Sequence, residues 1–279
     1  MPLIEQRLNE KQIPFEIIPT RQYLDTYNFA KDLDIQKYSV LCCAGGDGTY
    51  HETINGMLNR ADKVKIPVAL IPNGSGNDLC SAVGINNLDT ALNYIIKGEC
   101  IEIDTIRVLL DHDDESTLPE GNDRLNYCRH EVINSAVAMP AKIANTAIPL
   151  KGCCGTKSYE LATLWEACSG NFKPDTYKLT IDGQDVVSDT SDNVETTILM
   201  VTNGKYTGGG MIINPFAVIN DGLCDVTWIS DPAINNLMGV AGMLGDAKKY
   251  GGTQAYKGQN SYMRGKQIKL EFLGRPGNT

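Results

Sequence analysis

The sequence has 279 residues, enough for one large or two modest domains, and 42% of them are hydrophobic, as in ordinary globular proteins. The formal net charge of −9 argues against nucleic acid as a partner and against simple electrostatic adhesion to anionic lipid. No apolar run approaches the length of a membrane span, and residues 1–7 lack the core of a signal peptide. We therefore expect a cytoplasmic protein that contacts membranes only transiently.

The first hundred residues alternate between helical and strand-like periodicity. In chain order the pattern predicts a helix at 3–12, a strand at 15–19, a helix at 22–33, a strand at 38–44, a helix at 49–59, a strand at 67–71, and helices near 78 and at 88–97. This alternation predicts an α/β domain with a doubly wound parallel sheet, which we place at residues 1–104. Ligands of such sheets bind at the carboxyl ends of the strands.

The second part of the chain, residues 105–279, has a mainly β pattern. An acidic run at 111–123 predicts an exposed loop. Strands are predicted at 101–109, 128–135, 177–181, 196–202, 222–229 and 267–272, with helices at 159–169 and 236–249. Nine cysteines without a C-x-x-C spacing favour reduced thiols over a zinc site.

The most informative motif is a glycine turn between a predicted strand and a predicted helix. The apolar strand that begins at Leu41 leads into Gly45-Gly46-Asp47-Gly48-Thr49. Such a junction points backbone N–H groups at an anion. A carboxylate there would repel a bare phosphate, so Asp47 fits either a Mg²⁺ ion between carboxylate and phosphate or a general base.

A second turn of the same kind follows the next strand. Residues 67–72 are apolar, and Asn73-Gly74-Ser75-Gly76-Asn77-Asp78 comes directly after them. Because parallel strands end at one edge of the sheet, we expect the two turns to lie side by side and to grip a triphosphate through magnesium.

The first turn, together with Glu52, Asn55 and Gly56, resembles the catalytic domain of the diacylglycerol kinase and sphingosine kinase family, which includes bacterial soluble lipid kinases. Further collinear matches, from residue 20 to about 270, are Pro72 to Asp78, Ile103-Asp104, Asn134, Asn203-Gly204, Gly208-Gly209-Gly210-Met211, and Pro215 with Asn220 to Asp225. The resemblance implies an NAD-kinase-like nucleotide-binding domain followed by a β-sandwich domain. It also implies ATP and Mg²⁺ as cofactors and a lipid as substrate.

The resemblance further implies roles for individual residues. Those expected to hold ATP are Thr20, Gly45, Gly46, Gly48, Thr49, Tyr50, His51, Gly74, Ser75 and Asn77. Asp47, Asp78 and Asp104 would form an acidic catalytic network centred on Mg²⁺. Asp221 resembles a ligand of a separate structural Mg²⁺, helped by backbone oxygens of Val218 and Leu223.

Several of these residues also fit plainer structural roles. Asp47 and Asp78 are good helix-capping residues, and Asp104 and Asp221 are common turn formers. The run Gly208-Gly209-Gly210 could be a phosphate loop, but a bulge or hairpin beside the substrate is favoured.

The family resemblance implies ATP-dependent phosphorylation of a hydroxyl on diacylglycerol or a related lipid such as a sphingoid base. Family members usually start with a strand and a phosphate loop and end with an Asp-Gly-Glu motif that supplies a proposed general base. Both are expected to be missing here. The sequence is then either a fragment or an incorrect gene model of an active enzyme, which the retained motifs favour, or a non-catalytic nucleotide- or lipid-binding homologue. NAD kinase, which shares the Gly-Gly-Asp-Gly turn, is a further alternative, and a homodimer and peripheral membrane contact are compatible with the sequence.

Overall fold

The structure is a computed structural model that describes residues 2–119, 121–187, 192–250 and 260–275. The chain forms two compact units. The first contains the residues up to Val132 together with Gly208–Gly210, and the second contains residues 133–207 and those from Met211 onward.

The first unit is built on a parallel strand pair surrounded by helices. Its helices are α1 (Pro2–Glu10), α2 (Asp25–Asp32), α3 (Asp47–Leu58), α4 (Asp78–Ala82) and α5 (Leu88–Lys97), and its strands are β1 (Leu41–Gly45), β2 (Val68–Pro72), β3 (Ile106–Leu109) and β4 (Cys128–Glu131). β1 and β2 are parallel, with Gly45 opposite Pro72, whereas β3 and β4 form an antiparallel hairpin. The parallel register places the starts of both glycine turns next to each other.

Close packing of α2 against α3 depends on Gly56. A Cβ atom at this position would lie 2.2 Å from the carbonyl oxygen of Tyr27, so only glycine permits this approach. Two side chains then fix the pair. Glu52 accepts a hydrogen bond of 2.6 Å from the Thr26 hydroxyl, and the buried Arg60 guanidinium donates to carbonyls at the end of α2, including that of Leu33 at 2.7 Å.

The other motif residue on this helix, Asn55, attaches the β3–β4 hairpin to α3. Its Nδ2 donates to the His130 carbonyl at 2.8 Å, and its Oδ1 accepts from the His130 amide at 2.9 Å. A buried carboxamide with both functions satisfied acts as a specific backbone clamp.

The predicted strand at residues 15–19 is wrong. This segment carries no regular secondary structure, and the parallel sheet has only β1 and β2 within the described residues, so no neighbouring edge satisfies its backbone. Phe15, Ile17 and Ile18 are accordingly exposed. The predicted strand at 101–109 is shorter than expected, because only Ile106–Leu109 pairs with β4. The β3–β4 hairpin belongs to the first compact unit, whereas the domain boundary predicted from the sequence, after residue 104, would assign it to the second domain.

The second unit contains two four-stranded sheets and three helices in its described part. Its strands are β5 (Asn134–Ala138), β6 (Asp175–Ile181), β7 (Gln184–Val186), β8 (Val194–Thr196), β9 (Ile198–Thr202), β10 (Tyr206–Thr207), β11 (Met211–Ile212), β12 (Cys224–Ile229), β13 (Asn260–Gly265) and β14 (Ile268–Gly274), and its helices are α6 (Met139–Cys154), α7 (Ser158–Cys168) and α8 (Leu237–Tyr250). One sheet has the order β13-β12-β9-β5, and the other has β14-β6-β7 with β8 also paired to β6. Met139, Phe172, Ile198, Ile229 and Ile234 belong to its buried core.

Helix α6 was not predicted from the sequence. It contains Pro149 in its interior and several small residues, so it lacks a clear apolar stripe. Packing within the second unit stabilises α6, because its residues Met139 and Ala147 are buried there. The prediction of one continuous strand at 128–135 is also wrong, since β4 ends at Glu131 and β5 begins at Asn134. Within the part of the chain that the structure describes, no helix is both long and apolar enough to cross a bilayer.

Replacing Gly56 with alanine should destabilise the first unit. The added methyl group must push against the Tyr27 carbonyl, so we expect the free energy of unfolding to fall by about 1–3 kcal/mol in urea denaturation. Gly48→Ala is the matched control in the same helix, because no atom lies within 4 Å of its added Cβ. It should change stability by no more than about 1 kcal/mol. Equal losses in both variants would contradict the packing argument.

Candidate active site

The two glycine turns are in direct backbone contact. The amide of Asn73 donates to the Gly45 carbonyl at 2.8 Å. A Cβ atom on Gly46 would lie 2.9 Å from the Cα of Gly74, and one on Gly74 would lie 2.4 Å from the Cα of Gly46. Side chains at either position would therefore force the turns apart, and the sequence prediction that the turns adjoin is confirmed.

The second turn is held in shape by Asn77. This residue has a left-handed backbone (φ 56°), and its side chain both accepts from the Gly74 amide at 2.9 Å and donates to the Gly74 carbonyl at 2.8 Å. Its carboxamide thus shapes the loop, whereas Ser75 is exposed at the tip of the loop. Of these two predicted ATP contacts, Ser75 has the more accessible side chain.

Asp47 begins helix α3 between the two turns. Its Oδ1 accepts from the Leu79 amide at 3.1 Å, which ties it to the start of α4. Its Oδ2 faces Gly76, where a Cβ atom would lie only 2.8 Å away. The preceding residue, Gly46, provides no side-chain cap, so the first-turn amides of α3 are suited to an anionic ligand.

Asp78 is buried and binds backbone amides. Its carboxylate accepts from Gly209 at 3.0 Å and from Gly210 at 2.6 Å. Burial raises the pKa of Asp78 above its usual range, the two amide bonds act in the opposite direction, and the negative charge of Asp47 raises the pKa further. This carboxylate therefore anchors the Gly208–Gly210 segment, a contact that the sequence did not predict.

The Gly208–Gly210 segment is a hairpin turn, as the favoured interpretation of its sequence held. It connects the antiparallel strands β10 and β11, and its three residues have φ values of 62°, 90° and 96°. Only glycine adopts such angles at three successive positions without strain. The three-glycine run was a signal for this turn but gave no indication that Asp78 would bind its amides.

The side chains that follow Gly48 have structural partners. Tyr50 is fully buried and its hydroxyl donates to the Ile71 carbonyl at 2.9 Å, and its role in holding ATP stays a prediction. Its ring instead fills space between α3 and β2. His51 Nδ1 lies 3.2 Å from the Glu131 carboxylate, which directs its ring toward β4. The amide of Thr49 already donates to the Gly46 carbonyl.

Two other predicted site residues, Thr20 and Asp104, belong to neither glycine turn. Thr20 is exposed and lines a groove with Asp25, Asn28 and Asp32, none of which belongs to either turn. Asp104 is half-buried just before β3. Within the described residues, no group of three or more His, Cys, Asp or Glu side chains is placed to hold a metal ion. Asp47 and Asp78 face the same turn residue, Gly76, and the network of Asp47, Asp78 and Asp104 around Mg²⁺ stays a prediction.

The residues predicted to bind a structural Mg²⁺ lie in the second unit. The Asp221 carboxylate forms an ion pair with the Arg264 guanidinium and accepts from the Leu223 amide at 3.2 Å. The Mg²⁺ site with Asp221, Val218 and Leu223 as ligands stays a prediction.

Arg264 is shared with a second, fully buried carboxylate that the sequence did not single out as a partner. Its Nε donates to Asp225 Oδ1 at 3.1 Å, and the Tyr262 hydroxyl donates to the same oxygen. Asp225 and Arg264 lie opposite each other on β12 and β13. The cross-strand pairing therefore creates the ion pair, and it depends on a strand register that motif spacing does not reveal.

Comparison with known proteins agrees with a chain made of an α/β part followed by a mainly β part. The family model described as the diacylglycerol kinase catalytic domain matches residues 1–108, and the YegS C-terminal NAD kinase beta sandwich-like domain matches residues 134–276. A solved structure of a diacylglycerol kinase from Bacillus anthracis superposes with a TM-score of 0.62 over 96% of this chain and 77% of that chain. At 18% identity this likeness shows the fold alone.

The curated relatives include lipid and sphingosine kinases. The chain is 28% identical over 224 residues to "Probable lipid kinase YegS-like" of Shewanella frigidimarina, which covers 79% of this chain and 64% of that protein. It is 31% identical over 129 residues to "Sphingosine kinase 2" of Arabidopsis thaliana, which covers 44% of this chain and 24% of that protein. The chain thus spans less than two thirds of the length of either relative.

These matches define a kinase-type α/β catalytic domain followed by a β-sandwich-like domain. The chain belongs to the lipid kinase family of the diacylglycerol kinase catalytic domain, and its second part is of the YegS type.

The buried Asp78 should give a distinctive pH dependence of stability. Because its pKa is raised from the usual 3.8, the native state holds this proton more tightly than the unfolded chain. The stability that proton binding at Asp78 gives the native protein is therefore lost as pH rises through the raised pKa. The Asp78→Asn variant has no carboxyl group at this position and shows no such loss. The unfolding free energy of the native protein minus that of the variant should fall between pH 3.8 and neutrality, as measured by urea denaturation at several pH values. A difference that grows with pH would contradict the raised pKa.

Proposed function

We propose that this chain acts as a lipid kinase that transfers the γ-phosphoryl group of ATP to a lipid hydroxyl. The observation that carries the proposal is the contact of the two glycine turns at the carboxyl ends of β1 and β2, with Asp47 between them. Membership of a lipid kinase family supports a lipid acceptor, and relatives named as lipid kinases and sphingosine kinases support diacylglycerol or a sphingoid base as its class.

The ATP phosphates would lie against the first turn of α3. Gly48 is exposed there, and no atom lies within 4 Å of the position that its Cβ would take, which leaves room for a ligand. Gly46 and Gly74 let the backbone approach the phosphates without side chains in the way. Backbone amides at a helix N-terminus provide directed donors and a favourable dipole for this negative charge.

The chain offers a carboxylate suited to a Mg²⁺ ion that arrives with ATP. Protein-bound Mg²⁺ usually takes one or two carboxylates and completes its shell with substrate phosphates and water, so a three-carboxylate cage is not required. Asp47 fits this role, because Oδ1 is engaged by Leu79 while Oδ2 faces Gly76 of the second turn. When bound, Mg²⁺ would neutralise charge on the transferring phosphoryl group.

The hydroxyl proton would be accepted either by Asp47 or by the C-terminal carboxylate that the family's Asp-Gly-Glu motif supplies, whereas Asp78 has a positioning role. The Asp78 oxygens bind Gly209 and Gly210, so this residue holds a glycine segment beside the second turn. The two neighbouring acids therefore have separate tasks.

Asp47→Asn should cut lipid kinase turnover at least about a hundredfold and leave the fold intact. The asparagine oxygen can still accept from the Leu79 amide, so the start of α4 keeps its tie. Turnover would be followed with labelled ATP and a panel of diacylglycerols and sphingoid bases. Asp89→Asn, which removes an exposed carboxylate paired with Arg7 on α1, is the control and should keep full turnover. Near-normal activity of the Asp47 variant would overturn the assignment.

Parallel measurements separate the alternatives. ATP binding without turnover on any lipid would favour the non-catalytic homologue, and phosphorylation of NAD in the same assay would favour NAD kinase. The matched relatives bear names of lipid and sphingosine kinases, which supports the lipid acceptor over NAD.

We also propose peripheral membrane contact through α6 and α7. These helices carry exposed apolar side chains, among them Ile148, Leu164 and Trp165, and the Trp165 side chain is 66% exposed. Lys151 Nζ lies 5.3 Å from the centre of the Tyr159 ring, so a cation and an aromatic ring lie near the connection between the helices. Aromatic and basic side chains together favour the interface of an anionic bilayer.

Trp165→Ser should weaken binding to vesicles that contain anionic lipid, because the indole ring would no longer be buried in the bilayer interface. We expect an apparent affinity at least about fivefold lower in a co-sedimentation assay. Val187→Ser is the control, since this exposed side chain follows β7 and belongs to neither helix. Equal effects of the two substitutions would place the membrane contact elsewhere.

A further inference from the structure

The first unit contains a cavity that is not part of the glycine turns. It has a volume of about 520 Å³, within the usual range of small-molecule sites. It is formed by α2, the end of α3 with the turn that follows, and the β3–β4 hairpin with its connecting segment. No residue of either glycine turn lines it. The acidic connecting segment, predicted as a simple exposed loop, thus contributes part of a wall.

Among the lining residues that the structure describes, positive charges outnumber negative ones. Lys31, Lys63 and Arg124 are the basic residues of this set, and Glu115 is the acidic one. Glu115 is already neutralised, because it accepts from Arg107 at 2.8 Å and from Arg124 at 3.0 Å. Among the described side chains, neither lysine has an ion-pair partner.

The backbone at Lys63 is strained. It has a φ of 58°, in the left-handed region that residues other than glycine and asparagine rarely adopt. Its amide donates to the Arg60 carbonyl at 3.3 Å, which sets the turn after α3. Glycine would adopt this backbone conformation without strain, so the native lysine lowers the stability of the folded chain while it places an ammonium group at the cavity wall.

His130 and Tyr27 provide polar groups on the wall without adding charge. Burial lowers the pKa of His130, and the nearby charge of Arg107 lowers it further, so the ring is neutral at physiological pH. Its Nδ1 lies 3.2 Å from the Thr105 hydroxyl, which orients the ring. Tyr27 is nearly buried, and Lys31 Nζ lies 5.8 Å from the centre of its ring. The nearest acid along α2, Asp32, lines the groove that contains Thr20. Burial raises the pKa of the Tyr27 phenol, and the negative charge of Asp32 raises it further.

We propose that this cavity binds a phosphate monoester, with Lys31 and Lys63 as the residues that recognise the charge. The two lysines match the double negative charge of such a group, and the volume fits a glycerol- or sugar-sized substituent. The ligand could be a soluble phosphorylated metabolite or the headgroup of a phosphorylated lipid, since both present the same chemistry. This site is independent of the proposed kinase activity.

Calorimetric titration with glycerol 3-phosphate tests the site on the full chain, with glycerol as the uncharged probe. We expect glycerol 3-phosphate but not glycerol to bind, and the double variant Lys31→Gln/Lys63→Gln to bind at least about tenfold more weakly. Lys97→Gln, an exposed lysine near Glu99 at the end of α5, should keep the native affinity. Vesicles with phosphatidic acid, compared with phosphatidylglycerol vesicles, distinguish a lipid source. Lysine-dependent binding in either arm supports the proposal, and its absence from both overturns it.

Lys63→Gly separates ligand recognition from a structural role. Glycine relieves the left-handed strain, so the variant should unfold at a higher temperature than the native chain while its affinity for the phosphorylated probe falls. Higher stability with unchanged affinity would overturn the role of Lys63 in binding, and so would a parallel loss of both.

Discussion

The parallel pairing of β1 and β2 is the constraint on which the rest of the site depends. Its register sets Gly45 opposite Pro72, so the chain leaves both strands at the same level and turns twice within a few ångströms. Gly46 and Gly74 then touch through their backbones, a contact that no side chain would allow. A shift of one residue would separate the turns, move Asp47 from the Leu79 amide and expose the apolar faces of both strands.

Two neighbouring aspartates illustrate how environment divides similar side chains into different roles. Asp78 is buried, and its carboxylate oxygens accept hydrogen bonds from the amides of Gly209 and Gly210, so this side chain holds the backbone of the glycine segment in place. Asp47 is only half-buried and keeps one oxygen directed toward the second turn. Motif similarity marks both residues, but only the geometry distinguishes an anchor from a group that can act on a ligand.

The sequence predicted features that depend on local chemistry. The strand–turn–helix pattern identified both glycine turns, and α5 has the predicted limits because its apolar periodicity is strong and both its ends carry capping signals. Features that depend on distant partners were missed. Residues 15–19 look like a strand but lack a neighbouring edge, and the Arg264 guanidinium reaches Asp221 only through the register of β12 and β13. Tyr50 directly follows the first glycine turn, yet the helical turn directs its side chain into the core.

The end of α2 is closed by Arg60 and not by a local stop signal. The guanidinium donates to the carbonyls of Ala30, Lys31 and Leu33, which are acceptors that a glycine cap would usually satisfy. Termination of this helix is therefore encoded some thirty positions downstream, after α3. The residues between Asp34 and Val40 donate none of these three hydrogen bonds, so the end of α2 should depend on a guanidinium at position 60 more than on the segment that directly follows the helix.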